Sequence, residues 1–471
     1  MQPAAAAFKA KAREALADDH LQSALSRLDA AFPVLRRAAI ENLPEFNALC
    51  DRAVEIKNGV LENLDSYLEA YERAVTATGG HVHWCRDAEE ARTTVLKLCR
   101  DAGARTVTKG KTMIGEEIGI NPFLEAHGIE PVETDLGEYI IQLADETPSH
   151  IIAPAIHKTI DQVSDLFFEH HRALGKTVRQ TEGEAIVAEA REVLRPRYAE
   201  ADVGITGANF LIAETGTSVI VTNEGNGDLT QTLPKIHIVL ASLEKVVPTL
   251  EDAATLLRVL ARSATGQEQS VYTTFSTGPR RADDADGPEA YHVVLLDNGR
   301  SNLIGSPLQD ILRCIRCGAC FNHCPVYNAV GGHAYGWVYS GPMGAVLTPA
   351  MIGIEEAHHL PSATPFCGRC EAVCPMQIPL PKMMRHWRER AHDQGVAGWR
   401  ERVGLGLWGW FARRPSLYRI AARFAVNWLT GRARGRGVLQ RLPLASGWTT
   451  ARDFPVPQGG TFHDQWRAKR T

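Results

Sequence analysis

Seven of the ten cysteines in this chain of 471 residues fall into two short runs, each of which ends in Cys-Pro. The first run is Cys314-x2-Cys317-x2-Cys320-x3-Cys324, followed by Pro325. Steps of three positions let three thiolates converge on one small cluster, whereas the longer last step and its proline direct the fourth thiolate to a second cluster. The spacing predicts an iron-sulfur module with two clusters.

The second run has one cysteine fewer than the first. Three positions before Cys367 lies Thr364, where a complete run would have its first cysteine. Crossed ligation assigns one [4Fe-4S] cluster to Cys314, Cys317, Cys320 and Cys374. The second cluster then has three thiolates, which come from Cys324, Cys367 and Cys370.

A site with three thiolates is compatible with several kinds of cluster, and the spacing of the cysteines does not distinguish among them. It holds a [3Fe-4S] cluster, or a [4Fe-4S] cluster whose open iron binds water, substrate, a partner's group or a side chain such as His323. Zinc favours closed sites built from two pairs of ligands, which seven cysteines with two Cys-Pro endings fit poorly. About 42 residues separate Cys324 from Cys367, so we expect a helical ferredoxin fold.

The amino-terminal residues and the remaining cysteines are used to predict the cellular compartment. Residues 1–9 have no apolar core behind a basic start, so we expect no leader and a cytoplasmic protein with reduced thiols. Cys50, Cys85 and Cys99 stand alone among apolar neighbours and are predicted to be small buried hydrophobes. The net charge of -4 gives no general attraction to nucleic acid, and we expect no nucleic-acid partner.

Hydrophobic periodicity divides the chain into four predicted segments. Residues 1–75 have helical spacing, and residues 76–304 alternate strands with helices, which predicts an α/β domain with a parallel sheet. The run SHIIAP, residues 149–154, is one of the predicted strands, and residues 278–290 form a predicted surface loop before the last strand. Residues 305–390 are the predicted helical iron-sulfur domain, and residues 391–471 are a carboxy-terminal region.

The carboxy-terminal region is basic and rich in tryptophan. Residues 381–440 contain thirteen Lys or Arg against three Asp or Glu, and seven of the nine tryptophans lie beyond residue 381. Its longest apolar stretch is about ten residues, against the ~20 that span a bilayer. We favour a partner-binding surface here; the alternative is peripheral contact with an anionic membrane at its inner face.

Three stretches of the α/β segment carry weaker signals. The loop Thr108 to Thr112 follows a strand and contains two lysines, so it would hold an anion, although an ordinary strand-to-helix turn is preferred. Glu214, beside one turn, is a weak candidate for a nucleophile or base, particularly if the turn at residues 223–227 meets it at one strand edge. His157 and Lys158 are given no role.

The sequence as a whole resembles the lactate-utilisation iron-sulfur subunits, the LutB/YkgF family. The motifs that carry the resemblance are residues 108–143, residues 201–238, residues 314–349 and CGRCEAVCP at residues 367–375. The resemblance implies a lactate-utilisation domain similar to ribose-phosphate isomerases and coenzyme A transferases, a three-layer α/β fold with a parallel sheet. Amino-terminal helices would precede it, and a helical ferredoxin-type domain and a helical tail would follow it.

The resemblance also implies function, ligands and partners. It implies a role in oxidising L-lactate to pyruvate, with all seven clustered cysteines as ligands. The implied partners are a cysteine-rich subunit resembling heterodisulfide reductase and a small subunit that carries only the lactate-utilisation domain. The leading hypothesis is an electron carrier. Its rivals are acyl or sugar-phosphate catalysis through Glu214 with regulatory clusters, and an assembly scaffold.

Overall fold

The protein is described here as a computed structural model over residues 3–396, 398–433, 435–442, 446–450 and 452–470. The chain forms two compact units, Met1–Ala391 and His392–Thr471. Three of the four predicted segments therefore lie within the first unit.

The amino-terminal segment is helical, as its periodicity predicts. It forms α1 (Phe8–Ala17), α2 (Asp19–Glu41), α3 (Phe46–Glu62) and α4 (Leu64–Ala77). Asp18 begins α2 as a cap, because its carboxylate accepts a hydrogen bond from the Leu21 amide. The buried residues of α3 and α4 recur every three or four positions, so each helix packs one apolar face against the core.

Ten strands follow in the first unit. They are β1 (His81–Cys85), β2 (Thr106–Lys109), β3 (Glu130–Glu133), β4 (Val203–Gly207), β5 (Phe210–Ile212), β6 (Thr217–Thr222), β7 (Ile236–Ser242), β8 (Val246–Val247), β9 (Tyr272–Ser276) and β10 (Ala290–Leu296). Six form a parallel sheet in the order β1-β10-β7-β4-β2-β3, which confirms the predicted fold class. The other four form a second sheet in the order β8-β5-β6-β9.

Helices cover both faces of the parallel sheet. They include α5 (Ala88–Asp101), α6 (Met113–Ile118), α7 (Ile120–Glu125), α8 (Leu136–Leu143), α9 (Ile160–His171), α10 (Gly183–Glu200), α11 (Asn226–Thr232) and α12 (Leu250–Ala264). Alternate residues of β10 enter different cores: Val294 packs with α5, α6 and α7, whereas Val293 packs with α3 and α4. The central strands are therefore apolar on both faces, as parallel strands usually are.

Two details of the α/β segment differ from the sequence prediction. Residues 149–154 were predicted as a strand but form bends, because His150 Nδ1 accepts hydrogen bonds from the amides of Ile152 and Ala153. Those amides are therefore not available for hydrogen bonds to a neighbouring strand. Strand β9 was not predicted, since its half-exposed residues lack a clear apolar alternation.

The cysteine-rich segment is built from short helices, as predicted. They are α13 (Ala319–Asn322), α14 (Pro325–Val330), α15 (Gly341–Ile352), α16 (Ile354–Ala357), α17 (Arg369–Ala372) and α18 (Leu380–Asp393). The amino-terminal helices pack directly on this segment: Gln22 Nε2 donates to the Ala329 carbonyl at 2.9 Å, and Arg36 Nη2 donates to the Val373 carbonyl at 2.9 Å.

The second unit contains α19 (Trp399–Ala412), α20 (Pro415–Ala433), β11 (Val438–Leu439), β12 (Phe454–Pro455) and α21 (Phe462–Ala468). Its small core joins Ala433, Leu439 and Val456. Many of its large apolar side chains are exposed, and arginines stack over several of its tryptophans, as Arg414 does over Trp410 at 4.1 Å. Among the described residues, no helix is long and apolar enough to cross a membrane.

A buried ion network connects the sheet to the cysteine-rich segment. Arg300, which follows β10, donates to Glu117 of α6 at 2.6 Å and pairs with Glu244 at 3.2 Å. Arg316, in the first cysteine run, pairs with the same Glu244 at 3.2 Å. Tyr339 also hydrogen-bonds to Glu117. Because buried charges are tolerated only when paired, these contacts fix the position of the run against the sheet.

Replacing Arg300 by Met should destabilise the protein strongly, because two buried carboxylates would lose their shared partner. We expect a loss of about 3 to 5 kcal/mol in the free energy of unfolding, measured by chemical denaturation. The matched control is Arg281→Met, whose side chain is 85% exposed and 3.7 Å from Asp284. The control should change stability by less than about 1 kcal/mol. Equal effects of the two substitutions would contradict a structural role for the network.

Candidate metal centre and adjoining cavity

The first cysteine run is a tightly curled loop. A 3-10 turn at Gln309–Arg313 leads into Cys314. Arg316 and Gly318 then have φ angles of 60° and 73°, so the backbone turns sharply on each side of Cys317. Cys324 is the N-cap of α14, whose first residue is a proline. The chain thus curls through three cysteines and leaves the loop at the fourth.

The second run repeats this backbone geometry. Phe366 and Gly368 have φ angles of 53° and 79°, at the positions that correspond to Arg316 and Gly318. The short helix α17 follows, as α13 follows Gly318. This correspondence puts Thr364 at the place of Cys314. The missing cysteine of the second run is therefore a difference in sequence within a repeated backbone conformation.

Four cysteines of the two runs line one small cavity with largely apolar walls. They are Cys314, Cys317, Cys320 and Cys374, the set that crossed ligation assigns to one cluster. Burial raises the pKa of the Cys374 thiol to about 11, and it also raises the pKa of Cys317 and Cys320. Metal ligation needs thiolates, and burial disfavours the thiolate form. A bound group with metal cations would therefore stabilise the thiolates in this cavity.

The other three cysteines form a second group. Burial, together with the nearby Cys324 and Cys367, raises the pKa of the Cys370 thiol to about 12. Cys324 and Cys370 are buried, whereas Cys367 is exposed. The second group therefore extends to the protein surface. His323, the suggested fourth ligand, donates through Nδ1 to the Ala319 carbonyl at 2.9 Å.

The spacing of the sulfur atoms tests the choice between zinc and a cluster. Ligands around one tetrahedral zinc ion lie about 3.8 Å apart, given Zn–S bonds of about 2.3 Å. In the described part of the chain, groups of three ligand atoms within 4.8 Å of one another contain no cysteine. The cysteines are thus too widely spaced for a single zinc ion. A polynuclear iron-sulfur cluster, with its own bridging sulfides, holds its thiolate ligands farther apart than one zinc ion does.

The isolated cysteines and Glu214 lie outside both groups. Cys50, Cys85 and Cys99 are buried, in keeping with small apolar side chains. Glu214 is exposed in the turn before β6, whereas the turn at residues 223–227 follows the other end of β6. The expectation that these two turns meet at one strand edge was wrong, because the full length of the strand separates them.

The loop after β2 combines structural and cavity-lining residues. Lys109 is fully buried and pairs with Glu133 at 2.7 Å and Glu116 at 3.0 Å, which neutralises its charge. Lys111 donates to the Ile152 carbonyl, and Thr112 caps α6. His157 and Lys158 both bind Glu146. Three residues of this loop, Gly110, Lys111 and Thr112, line the large cavity described next.

A cavity of about 540 Å³ lies at the carboxyl edge of the parallel sheet. Its wall includes residues that follow β2, β3, β4 and β7, and Arg316 and Ile151 line both this cavity and the four-cysteine cavity. Sequence reasoning missed it. The available signal was the set of loops after parallel strands, because ligands of open α/β sheets bind at that edge.

The boundary between the two cavities is positively charged. Burial opposes the ionisation of Glu244, but the charges of Arg300 and Arg316 outweigh it and hold the pKa of Glu244 at about 2. Burial, with the Arg316 charge, lowers the pKa of Lys245 to about 8. Lys245 lines the large cavity and makes no hydrogen bond or ion pair with any residue that the structure describes.

Three family models match successive parts of the chain. They are the LUD domain at residues 68–296, the 4Fe-4S dicluster domain at residues 310–378, and lactate utilisation protein B, C-terminal, at residues 379–471. A crystal structure of a duf162 family protein from Deinococcus radiodurans covers 50% of this chain and 98% of its own, at 13% identity. Its TM-score of 0.28 is too low to support an argument about the fold.

Curated relatives match over nearly the full length. Lactate utilization protein B of Bacillus velezensis is 41% identical over 99% of this chain and 98% of its own. The protein of the same name from Bacillus subtilis is 40% identical over 98% and 96%. The uncharacterized electron transport protein YkgF of Escherichia coli is 38% identical over 98% and 96%. This chain belongs to the lactate utilization protein B family and carries its 4Fe-4S dicluster domain.

Proposed function

We propose that this chain is the iron-sulfur electron-transfer subunit of a multi-protein system that oxidises L-lactate to pyruvate and supports growth on lactate. The observation that carries the proposal is the placement of the two cysteine groups. The first group lines a cavity that shares Arg316 and Ile151 with the large cavity, and the second group includes the exposed Cys367. The names of the relatives support lactate as the substrate of the system and electron transport as the role.

The residues assigned to each cluster follow from crossed ligation. Cys314, Cys317, Cys320 and Cys374 would hold a [4Fe-4S] cluster, and Cys324, Cys367 and Cys370 would hold a [4Fe-4S] or [3Fe-4S] cluster. Such clusters, when bound, take up and release single electrons, so the two electrons of lactate would leave in two steps. Tyr335 is buried and lies within the electrostatic reach of Cys320, Cys324 and Cys370. Its side chain therefore lies near cysteines of both groups.

The proposed partners take the electrons or supply the remaining chemistry. They are a cysteine-rich subunit resembling heterodisulfide reductase and a small subunit with only a lactate-utilisation domain. The exposed position of Cys367 supports electron delivery to a partner at that surface. The exposed tryptophans of α19, beside arginines, support a partner-binding role for the carboxy-terminal unit.

L-lactate should reduce the clusters when the partners are present. The chain is purified anaerobically, combined with both partners and given L-lactate, and electron paramagnetic resonance spectra are recorded. We expect signals of reduced clusters in the wild-type protein. Cys320→Ser, which removes a thiolate of the first group, should abolish lactate-dependent reduction and lower bound iron by about four atoms per chain. Dithionite serves as the reference reductant.

The matched control for this experiment is Cys99→Ser, a buried cysteine outside both groups. It should keep its iron and its lactate-dependent signal. Clusters that dithionite reduces but that lactate and the partners leave oxidised would contradict the electron-transfer proposal. If Cys320→Ser lost its complex with the partners as well as electron flow, an assembly role would be favoured instead.

Thr364→Cys should complete the second cluster site. The backbone at Thr364 corresponds to that at Cys314, so the new thiolate would occupy the missing ligand position. If the native cluster is [3Fe-4S], iron should rise from about seven to about eight atoms per chain, and the signal of the oxidised three-iron cluster should disappear. If it is [4Fe-4S], iron stays at about eight and the reduced-cluster spectrum changes.

The control here is Ser362→Cys, which adds an exposed cysteine two positions outside the register. It should leave both iron content and spectra unchanged. A Thr364→Cys protein that is indistinguishable from the wild type in iron and in both spectra would contradict the assigned ligand set of the second cluster.

A further inference from the structure

The large cavity is lined by three cations and by two carboxylates, Asp135 and Glu224, of which Glu224 interacts with Lys111. Lys111, Lys245 and Arg316 line it. Lys111 donates to the Ile152 carbonyl, and Arg316 pairs with Glu244 and lies over the Tyr339 ring at 5.0 Å. Lys245 alone of the three has neither a hydrogen bond nor an ion pair among the residues that the structure describes.

Counting the buried charges around Lys245 sharpens this observation. Four cations, Lys57, Lys245, Arg300 and Arg316, surround two carboxylates, Glu117 and Glu244. The excess of two positive charges is partly offset by the thiolates of the first cysteine group, since Cys314 interacts with Lys57, Lys245 and Arg316. An anion bound in the large cavity would offset the positive charge that the thiolates leave uncompensated.

A second, independent observation comes from an amide side chain that lines the same cavity. Asn226, at the start of α11, lines the cavity and is only 4% exposed. Its Nδ2 atom has no hydrogen-bond partner in the described part of the chain. A buried amide without an acceptor is unfavourable, so a ligand oxygen in the cavity would satisfy it. The cavity therefore offers a cation and an amide donor without partners.

Part of the wall is apolar, and the cavity is larger than a small acid requires. Ile114, Ile140, Ile152 and Ile220 are among the lining residues. A volume of about 540 Å³ exceeds what a three-carbon acid fills. The site therefore has the form of an anion-binding end joined to an apolar compartment, which is common in small-molecule sites.

We propose that this cavity binds a 2-hydroxycarboxylate or the corresponding 2-oxo acid. Its carboxylate lies against Lys245 and Arg316, its second oxygen accepts from Asn226, and its carbon chain packs along the isoleucines. The inference rests on the proposed function and deepens it, because it assigns the substrate-binding site to this chain rather than to a partner. Arg316, which lines both cavities, would place the bound acid beside the first cysteine group.

Lys245→Gln should weaken binding of L-lactate and pyruvate to the anaerobically purified, cluster-containing chain. We expect the dissociation constant from calorimetry to rise about tenfold or more, since a charged hydrogen bond is lost. The control is Lys235→Gln, an exposed lysine just before β7, whereas Lys245 follows the other end of that strand. The control should bind as the wild type does. Lactate binding should also change the spectrum of the first cluster in wild type.

The outcomes separate this inference from the proposed function. Failure of the wild-type chain to bind either acid, while lactate and the partners still reduce its clusters, would place the substrate site elsewhere and overturn the inference. Binding without reduction would leave the cavity assignment standing and contradict the electron-transfer function. If Lys245→Gln shifted the midpoint potential of the first cluster but left the affinity unchanged, Lys245 would serve the cluster alone, and the inference would fail.

The apolar compartment makes a second test possible. Each methylene added to the acid should bury more apolar surface, so 2-hydroxybutanoate should bind about fourfold tighter than lactate. 2-Hydroxyhexanoate should bind tighter still. Affinity that falls with each added carbon, or inorganic phosphate that competes as well as the acids, would contradict the assignment. Affinity that falls with chain length would indicate a binding site smaller than this cavity. Competition by phosphate would indicate a site that binds anions in general.

Discussion

The buried ion network around Glu244 determines how the two halves of the first unit fit together. Glu244 lies just after β7 and pairs with Arg300, which follows β10, and with Arg316 of the first cysteine run. Glu244 and Arg300 are buried and only 10% of the Arg316 side chain is exposed, so removing any one would leave an uncompensated charge in the interior. The network thus fixes the first cysteine group against the carboxyl edge of the sheet. The large cavity and the four-cysteine cavity adjoin because of it.

That arrangement explains why the α/β part and the cysteine-rich part are a single compact unit although different family models match them. The amino-terminal helices reinforce the connection. Arg36 of α2 donates to Val373 beside the second run, and α3 packs against α12 and the turn before Cys314. Neither part buries its charges and apolar faces alone. The interface between them is a structural core, unlike the more polar contacts typical between independent domains.

The features that sequence predicted are those set by short-range pattern. The spacing of the cysteines indicated two runs and a missing position at Thr364, and the repeated left-handed residues Arg316 and Phe366 agree with that alignment. The apolar runs of β7 and β10 predicted strands of a parallel sheet. The features that sequence missed depend on distant contacts. The bends at residues 149–154 depend on His150, whose Nε2 atom contacts Asn322 of the cysteine-rich segment. The pairing of Glu244 with Arg316 joins residues 72 positions apart.

The same long-range contacts give the two cysteine groups different surroundings. The first group has four thiolates, and its Cys314 lies close to Lys57, Lys245 and Arg316. Nearby buried cations stabilise a more negative, reduced cluster, so in the proposed pathway these residues favour uptake of an electron from a weakly reducing hydroxy acid. The second group lacks one thiolate and includes the exposed Cys367, where water screens charge and a partner has access. The two cysteine groups therefore differ in the way that the proposed pathway requires. In that pathway, electrons pass from the large cavity to the first group and leave from the second group at the protein surface.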